Sequence, residues 1–246
     1  TYANLNRSDD AIEAYRQAIH INSEDAVAWY NLGNTYANLK RPDDAIEAFR
    51  QALRINPEYV EACSNLGLAY ANLSRHDDAI EAYREVIHIN PELAGTWNSL
   101  GFAYGKLTRY DDAIEAFRQA LRIGPELADA WTGLGNAYSG LTQYDKAIDA
   151  YRQALRIDPE YAVAWYNLGF AYGKLNCYDD AIDAYRGALR INPEFAEAWD
   201  NLGLAYANLS RYNDAIDAYH QALRITPEFA DAWNNLGNAY ANDKRA

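Results

Sequence analysis

The sequence has little of what would assign it a chemistry. It has no methionine and only two cysteines in 246 residues, so it contains no disulfide framework. No apolar run approaches the roughly 18 residues that a membrane helix needs. Basic residues are in the minority, with 22 Lys+Arg against 35 Asp+Glu and a formal net charge of −13. This shortage of positive charge argues against nucleic acid and against anionic membrane surfaces as partners.

The start of the chain also lacks a signal. It opens Thr1-Tyr2-Ala3, with no initiating methionine and no secretory leader. We therefore expect a trimmed piece of a longer protein. The cytoplasm is the default compartment because two cysteines do not make a disulfide framework.

The sequence is rich in one internal repeat of 34 residues. Each unit has Trp, then Leu-Gly three and four residues later, Tyr three further on, Ala nine beyond that, an aromatic residue and a closing Pro. The tryptophans are Trp29, Trp97, Trp131, Trp165, Trp199 and Trp233, and Cys63 occupies the vacant point. In one unit the full set is Trp131, Leu134-Gly135, Tyr138, Ala147, Tyr151 and Pro159.

This pattern, W-x2-L-G-x2-Y…A-x3-F/Y…P, closely resembles the tetratricopeptide repeat (TPR) family over essentially the whole chain. The resemblance implies an all-α fold, a right-handed superhelical α-solenoid of 34-residue helix-turn-helix repeats. The expected full repeats are 26–59, 60–93, 94–127, 128–161, 162–195 and 196–229. Residues 1–25 are expected to be a partial repeat (the end of a first helix, then a second helix), and residues 230–246 a first helix alone.

The spacing supports helices independently of the family. Counting from the first residue of a repeat, positions 4, 7, 8 and 11 lie on one helical face. Gly at position 8 would let a neighbouring helix approach closely. Between the two helices we expect an N-cap followed three residues later by Asp, at Ser74, Thr108, Thr142 and Asn176. The repeat 60–93 should be a local weak point, because Cys63 buries much less area than Trp.

No catalytic motif appears in the sequence. There is no P-loop, dinucleotide-binding, nucleophile-elbow or zinc-protease pattern. Cys63 and Cys177 lie more than three repeats apart, too far to share a metal or a disulfide. The Asp pairs, such as Asp111-Asp112, recur at one repeat position and therefore indicate the starts of helices. We predict no enzymatic activity, no cofactor and no metal.

The face of the first helix opposite the buried one is the candidate binding site. Spacing alone predicts that this face is exposed, and the family resemblance implies that it lines a concave groove for peptides or partner helices. Asparagines recur there, and an amide can pair with any peptide backbone. This ladder is similar to the one in the repeats of protein O-GlcNAc transferases. Its asparagines are Asn31, Asn65, Asn167, Asn201 and Asn235 at position 6, and Asn34 and Asn136 at position 9.

Apolar and charged side chains accompany the ladder. The periodicity assigns no packing role to the aromatic ones. The apolar candidates are Tyr30, Leu68, Phe102, Tyr166, Phe170 and Leu204, and the cations are Lys106 and Lys174. Acidic neighbours at Glu61, Asp129, Glu197, Asp200 and Asp231 outnumber those cations. We therefore expect a neutral to basic protein or peptide ligand with apolar side chains.

Three interpretations of function remain open. The first is a non-catalytic scaffold that binds an extended peptide or a partner helix in the groove. The second is the repeat arm of a larger enzyme, such as a glycosyltransferase. The third is a designed or recently duplicated array that self-associates head to tail, because the terminal helices lack neighbours.

Overall fold

The computed structural model describes the backbone of residues 2–243 and the side chains of residues 7–243. Within that range the chain is entirely helical, with fourteen α-helices and no strand, which confirms the all-α expectation. The helices are α1 (Tyr2–Ile21), α2 (Ala26–Asn38), α3 (Pro42–Ile55), α4 (Val60–Asn72), α5 (His76–Ile89), α6 (Ala94–Lys106), α7 (Tyr110–Ile123), α8 (Ala128–Gly140), α9 (Tyr144–Ile157), α10 (Ala162–Lys174), α11 (Tyr178–Ile191), α12 (Ala196–Asn208), α13 (Tyr212–Ile225) and α14 (Ala230–Asp243).

The helices form two compact units, residues 1–125 and 126–246. In each unit first helices alternate with second helices, which have 13 and 14 residues in the complete repeats, and each helix packs against the next one along the chain. First helices of successive repeats also contact one another: α2 contacts α4, and α10 contacts α12. Each unit is therefore an array of helix pairs without a single central core.

The glycine at position 8 permits the close approach that the spacing predicts. A Cβ built on Gly135 would lie 2.5 Å from the ring of Tyr151 on the second helix of the same repeat. Gly33 meets the ring of Phe49 in the same way, at 2.6 Å. Any side chain at these positions would have to displace a buried ring.

Recurrent hydrogen bonds explain why the aromatic residues and prolines of the repeat keep a constant spacing. The Trp199 indole N–H donates to the carbonyl of Pro193, six residues earlier, at 2.9 Å, which closes the loop before α12. The Arg84 guanidinium donates to the Tyr104 hydroxyl of the next repeat at 2.7 Å. The two residue types at positions 4 and 11 thus satisfy their polar groups while their rings pack between helices.

The turn inside each repeat shows that the expected N-caps are wrong. Thr142 has a φ of 59°, in the left-handed region, and α9 begins only after Gln143, without a side-chain cap. The N–H of Thr142 donates to the Ser139 carbonyl at 2.9 Å. The N–H of Gln143 donates to the Tyr138 carbonyl at 2.9 Å. These bonds form a Schellman motif that ends α8. The other residues expected as N-caps share the left-handed backbone: Ser74, Thr108 and Asn176.

The physical reason lies in which helix end the turn satisfies. The last carbonyls of the first helix take the N–H groups of the turn, and this requires one residue with positive φ. Glycine is the residue that adopts this conformation without strain. The chain instead has non-glycine residues in the left-handed conformation at all six such turns of the described range, including Lys40 and Ser210.

The first segment also differs from expectation. Residues 1–25 were expected to contain the end of one helix and then a second helix, but α1 runs without a break from Tyr2 to Ile21.

Candidate functional site

The side chains predicted to line the binding face all lie on first helices, and none of them is fully buried. Those in the first unit are on α2, α4 and α6, and those in the second are on α8, α10, α12 and α14. Leu68, Phe102 and Leu204 expose 54%, 40% and 44% of their surface and so offer apolar contacts on this face. Lys106, Asn136 and Lys174 are exposed, and the remaining predicted residues are half-buried: Tyr30, Asn31, Asn34, Asn65, Tyr166, Asn167, Phe170, Asn201 and Asn235.

The asparagines form hydrogen-bonded pairs between neighbouring repeats. The Asn65 amide donates to the Asn34 side-chain oxygen at 2.7 Å. In the second unit, Asn167 donates to Asn136 at 3.0 Å, and Asn136 also accepts from the Tyr151 hydroxyl at 2.7 Å. Each donating amide uses one N–H in this bond. Its second N–H and its oxygen have no partner within residues 7–243, so they can still bond to a ligand.

The amide bonds change partner where position 9 is apolar. Asn201 cannot donate to Phe170 at position 9 of the preceding repeat, and it donates to the Tyr166 hydroxyl at position 5 instead, at 3.0 Å. Asn235 likewise donates to Asp200, at position 5, at 3.1 Å, because position 9 is Leu204. The alternation of Asn with Leu and Phe at position 9 therefore decides whether the amide bond lies at position 9 or position 5. The sequence contains this correlation, but spacing analysis overlooked it.

An open cavity of about 160 Å³ lies among α10, α11 and α12, beside Asn201, whose amide bonds to position 5 and not to position 9. It brings together four of the predicted residues, Phe170, Lys174, Asn201 and Leu204. We call it the α10–α12 pocket. Its other lining residues, which were not among the predicted site residues, are Gly173, Tyr178, Tyr185, Ala205 and Asn208.

The pocket owes its volume to a glycine and its shape to ordered aromatic residues. A Cβ on Gly173 would meet only the Tyr185 hydroxyl, at 3.9 Å, so the space above this residue is empty. The Tyr178 hydroxyl donates to the Asn176 side chain at 2.7 Å, which orients the ring. Lys174 Nζ lies 5.0 Å from the centre of the Phe170 ring, in cation–π range. These residues build an apolar pocket with a cation and amides at its rim.

Two of the predicted aromatic residues have packing roles that the periodicity did not reveal. Tyr30 stacks on Tyr59 with ring centroids 4.9 Å apart, and Tyr166 stacks on Phe195 at 4.7 Å. Phe102 is different, because its ring meets that of Phe117 edge to face at 5.1 Å and yet stays exposed. Tyr30 and Tyr166 therefore support the repeat stack as well as the candidate face.

Some predicted residues are not brought together. No hydrogen bond within residues 7–243 joins the side chains of Asn31 or Lys106 to the rest of the set, although both lie on first helices of the first unit. The connected residues are the Asn34–Asn65 pair in the first unit and the pocket with its amide network in the second.

Asp200 is the most buried ionisable group on this face. It is only 8% exposed, and one of its oxygens accepts the hydrogen bond from Asn235. Burial raises the pKa of Asp200 above its ordinary value, and the nearby charge of Asp231 raises it further, while the bond from Asn235 opposes the shift.

The rest of the described chain offers no arrangement typical of catalysis. Among these residues, no group of three His, Cys, Asp or Glu side chains could hold a metal ion. Burial raises the pKa of the Cys63 thiol to about 11, so it is not a nucleophile near pH 7. The Asp pairs lie in the first turns of second helices, where Asp112 forms an ion pair with Arg109 at 2.8 Å. No helix in this range is long and apolar enough to span a membrane.

The helix pairs, their turns and the face on the first helices define a helical-repeat protein of the TPR class, and sequence comparison agrees. One TPR repeat model matches residues 1–40, 109–141, 142–176 and 207–243, more than half of the chain. Tetratricopeptide repeat models also match 26–59, 60–93, 162–195 and 184–217. The chain therefore belongs to the tetratricopeptide repeat family.

Solved structures show the same α-solenoid class. A chain of the APC/C hetero-tetramer Cut9-Hcn1 matches with a TM-score of 0.72 and 24% identity over 94% of this chain, which spans 46% of that one. MamA matches with a TM-score of 0.64 and 28% identity over 68% of this chain and 97% of its own. YrrB, described as a TPR protein with an unusual peptide-binding site, has a TM-score of 0.64 and 23% identity over 77% of this chain and 97% of its own. No curated protein sequence matches significantly.

Proposed function

We propose that this chain is a non-catalytic scaffold that binds an extended peptide, or a helix of a partner protein, on the face built from its first helices. The observation that carries the proposal is the α10–α12 pocket. It is an apolar cavity of about 160 Å³ beside amide groups with spare hydrogen-bonding capacity. A concave apolar site with a few polar groups is the usual form of a ligand site.

The chemistry of the face indicates the ligand. The pocket fits one apolar side chain, and in the same unit the amide of Asn167 would bond to the ligand's backbone, in a ladder like that of the O-GlcNAc transferase repeats. The first unit, taken by itself, offers the same two kinds of contact, with apolar side chains at Leu68 and Phe102 and an amide at Asn65. Amides that bond to the ligand's backbone tolerate many ligand sequences, so the pocket would determine which ligand side chain is preferred.

The test fills the pocket without adding charge. Gly173→Leu projects a side chain into the cavity, because only the Tyr185 hydroxyl lies near the added Cβ. Gly95→Leu is the matched control, since it is the same substitution at a helical glycine with nothing within 4 Å, outside the pocket. Both variants should keep the wild-type helicity by circular dichroism. Arrayed nine-residue peptides with a central Leu, Phe or Trp should be retained by the wild type and the control but not by Gly173→Leu. Equal retention by all three proteins would refute the pocket as the binding site.

A second proposal concerns self-association of the 246-residue chain. The outer face of α14 is apolar and uncovered, since Trp233 is 55% exposed and a Cβ on Gly237 would meet nothing. In complete repeats the glycine at this position receives an aromatic ring, and Tyr15 on α1 occupies that ring's position in the first partial repeat. We propose that α1 of one copy packs on α14 of another. Light scattering should show mass rising with concentration for the wild type and a monomer for Gly237→Leu. A monomer at all wild-type concentrations would refute this association.

A further inference from the structure

Asp200 departs from the residue type found at position 5 of the other repeats. This residue alone is charged at that position. The other repeats have neutral residues there: Tyr30, Ser64, Asn98, Thr132, Tyr166 and Asn234. Packing of the repeats therefore does not require an acid at position 5, and the reason for Asp200 must be sought elsewhere.

The environment of Asp200 lacks a counter-ion. The side chain is more than nine-tenths buried, and Asn235 donates to one of its oxygens at 3.1 Å. The second oxygen has no hydrogen-bond partner within residues 7–243, and no Lys, Arg or His of that range forms a salt bridge with this carboxylate. This oxygen is not one of the buried atoms without a partner in that range, so it remains accessible from the solvent. A carboxylate that is largely withdrawn from water and has no paired cation therefore offers one open acceptor to a ligand.

The ionisable residues that share α12 and α14 with this site are acidic, and the adjoining α10–α12 pocket has one cation, Lys174, at its rim. Glu197 lies three residues earlier on α12, and Asp231 lies in the first turn of α14, and both are exposed. The phenols of Tyr166 and Tyr185 also lie within the electrostatic range of Asp200, as does that of Tyr219. Burial raises the pKa of each phenol, so all three are neutral near pH 7. A cation entering here would meet three carboxylates.

We propose that Asp200 anchors a cation subsite, with Glu197 and Asp231 at its mouth, which binds the ammonium or guanidinium group of a Lys or Arg side chain in the bound peptide. This subsite rests on the proposed function, because it lies beside the α10–α12 pocket. Asn201, the next residue after Asp200, lines that pocket and donates to the Tyr166 hydroxyl. The charge on the ligand thus enters next to its apolar side chain.

The helix sets the spacing between the two ligand side chains. Asp200 and Leu204, which lines the pocket, are four residues apart on α12, a rise of about 6 Å. Side chains two residues apart in an extended peptide lie on the same face, about 6.6 Å from each other. The preferred ligand is therefore an extended segment with an apolar residue and a Lys or Arg two positions away.

The test measures preference for the cation separately from binding itself. The probes are arrayed nine-residue peptides of Gly and Ser with a central Leu, and with Lys, Arg, Gln or Glu two positions to either side. The wild type should retain Lys and Arg peptides about tenfold better than Gln peptides, a modest value for a close charge pair. Asp200→Asn keeps an acceptor for Asn235 and should retain Lys, Arg and Gln peptides equally.

The control and the second variant guard against indirect effects. Asp183→Asn removes an exposed acid of α11 outside the α10–α12 pocket, and it should leave the tenfold preference intact. If Asp200→Asn fails to fold by circular dichroism, the surface variant Glu197→Gln/Asp231→Asn takes its place. That double variant should lower retention of Lys and Arg peptides and leave Gln peptides unchanged.

Each outcome decides between the two proposals. A Lys or Arg preference that persists in Asp200→Asn, or that the wild type lacks, refutes the cation subsite. If the wild type lacks that preference but Gly173→Leu still abolishes retention, only the subsite falls and the proposed function stands. If the wild type retains no peptide at all, both are refuted.

Discussion

Replacing Thr142 by Gly should stabilise the chain, although the substitution removes side-chain atoms and increases the freedom of the unfolded backbone. Thr142 has a φ of 59° at the end of α8. For a residue with a Cβ, the left-handed conformation costs about 1–2 kcal/mol. Glycine avoids that strain but adds about 0.5–1 kcal/mol of backbone entropy on folding. The centres of these two ranges give an expected net gain in the free energy of unfolding of about 0.5–1 kcal/mol.

The assay is urea denaturation followed by circular dichroism at 222 nm. With a slope of about 2 kcal/mol/M, the gain corresponds to a midpoint about 0.3–0.5 M higher. Thr142→Ala is the control, because it keeps the Cβ and hence the strain, and its midpoint should barely change. Asn176→Gly should gain less than Thr142→Gly, since Asn tolerates the left-handed region better than Thr does.

The direction of the change in urea midpoint distinguishes two descriptions of Thr142, as the N-cap of α9 or as part of the Schellman turn that ends α8. If Thr142 were the N-cap of α9, its replacement by Gly would lose a few tenths of a kcal/mol and its replacement by Ala about 1 kcal/mol. The Schellman turn instead predicts a higher urea midpoint than wild type for Thr142→Gly and an unchanged midpoint for Thr142→Ala. A lower midpoint for Thr142→Gly would show that the backbone description of this turn is wrong.

Three further predictions follow from burial and packing. Gly135→Ala should lower the unfolding free energy measured by calorimetry by about 1–3 kcal/mol, because its Cβ would displace a buried ring. Gly237→Ala should be neutral or stabilising, since nothing lies near its Cβ. Equal effects of the two substitutions would contradict the close approach at Gly135. Amide hydrogen exchange should be fastest within the repeat 60–93 among the internal repeats, because its Cys63 buries less area than Trp; uniform protection would refute this. Burial raises the pKa of Asp200, so the folded state binds its proton more tightly and unfolding free energy is lost as pH rises through that pKa. Asp200→Asn should therefore unfold at higher urea than wild type at pH 7, and the difference should disappear near about pH 3; a constant difference would refute the linkage.

The repeat architecture was predictable because it depends on local periodicity. Trp131, Gly135 and Tyr138 share one face of a 3.6-residue helix, and their recurrence every 34 residues specifies the same helix pair each time. The structure confirms the resulting all-α class and the role of Gly135 in close packing. No long-range information was needed for either inference.

The turn at Thr142 could not be assigned by the same method. The sequence Thr-x-x-Asp is compatible with an N-cap of the second helix and with the C-terminal turn of the first. The choice depends on whether the turn donates its N–H groups to Ser139 and Tyr138, as it does here. That is a property of the backbone path between two packed helices, and the four-residue pattern does not contain it.

The candidate face was predicted in outline but not in its connections. Asn201 is on the face that the periodicity indicated, yet its bond to Tyr166 depends on a residue of the preceding repeat. The cavity depends on the absent side chain of Gly173 beside Tyr185, which the repeat pattern classed only as an aromatic core position. Such features follow from contacts between repeats, which a scan along one repeat does not represent.

The sequence by itself determined the helical-repeat class, the buried face of each helix and the location of the exposed face on the first helices. These are consequences of 3.6-residue periodicity repeated in phase, and each repeat states them independently. Tertiary structure alone decided which amides pair, where the pocket opens and that Asp200 is buried without a cation. Those features depend on residues of different repeats meeting in space, so they arise only when the helix pairs pack against one another.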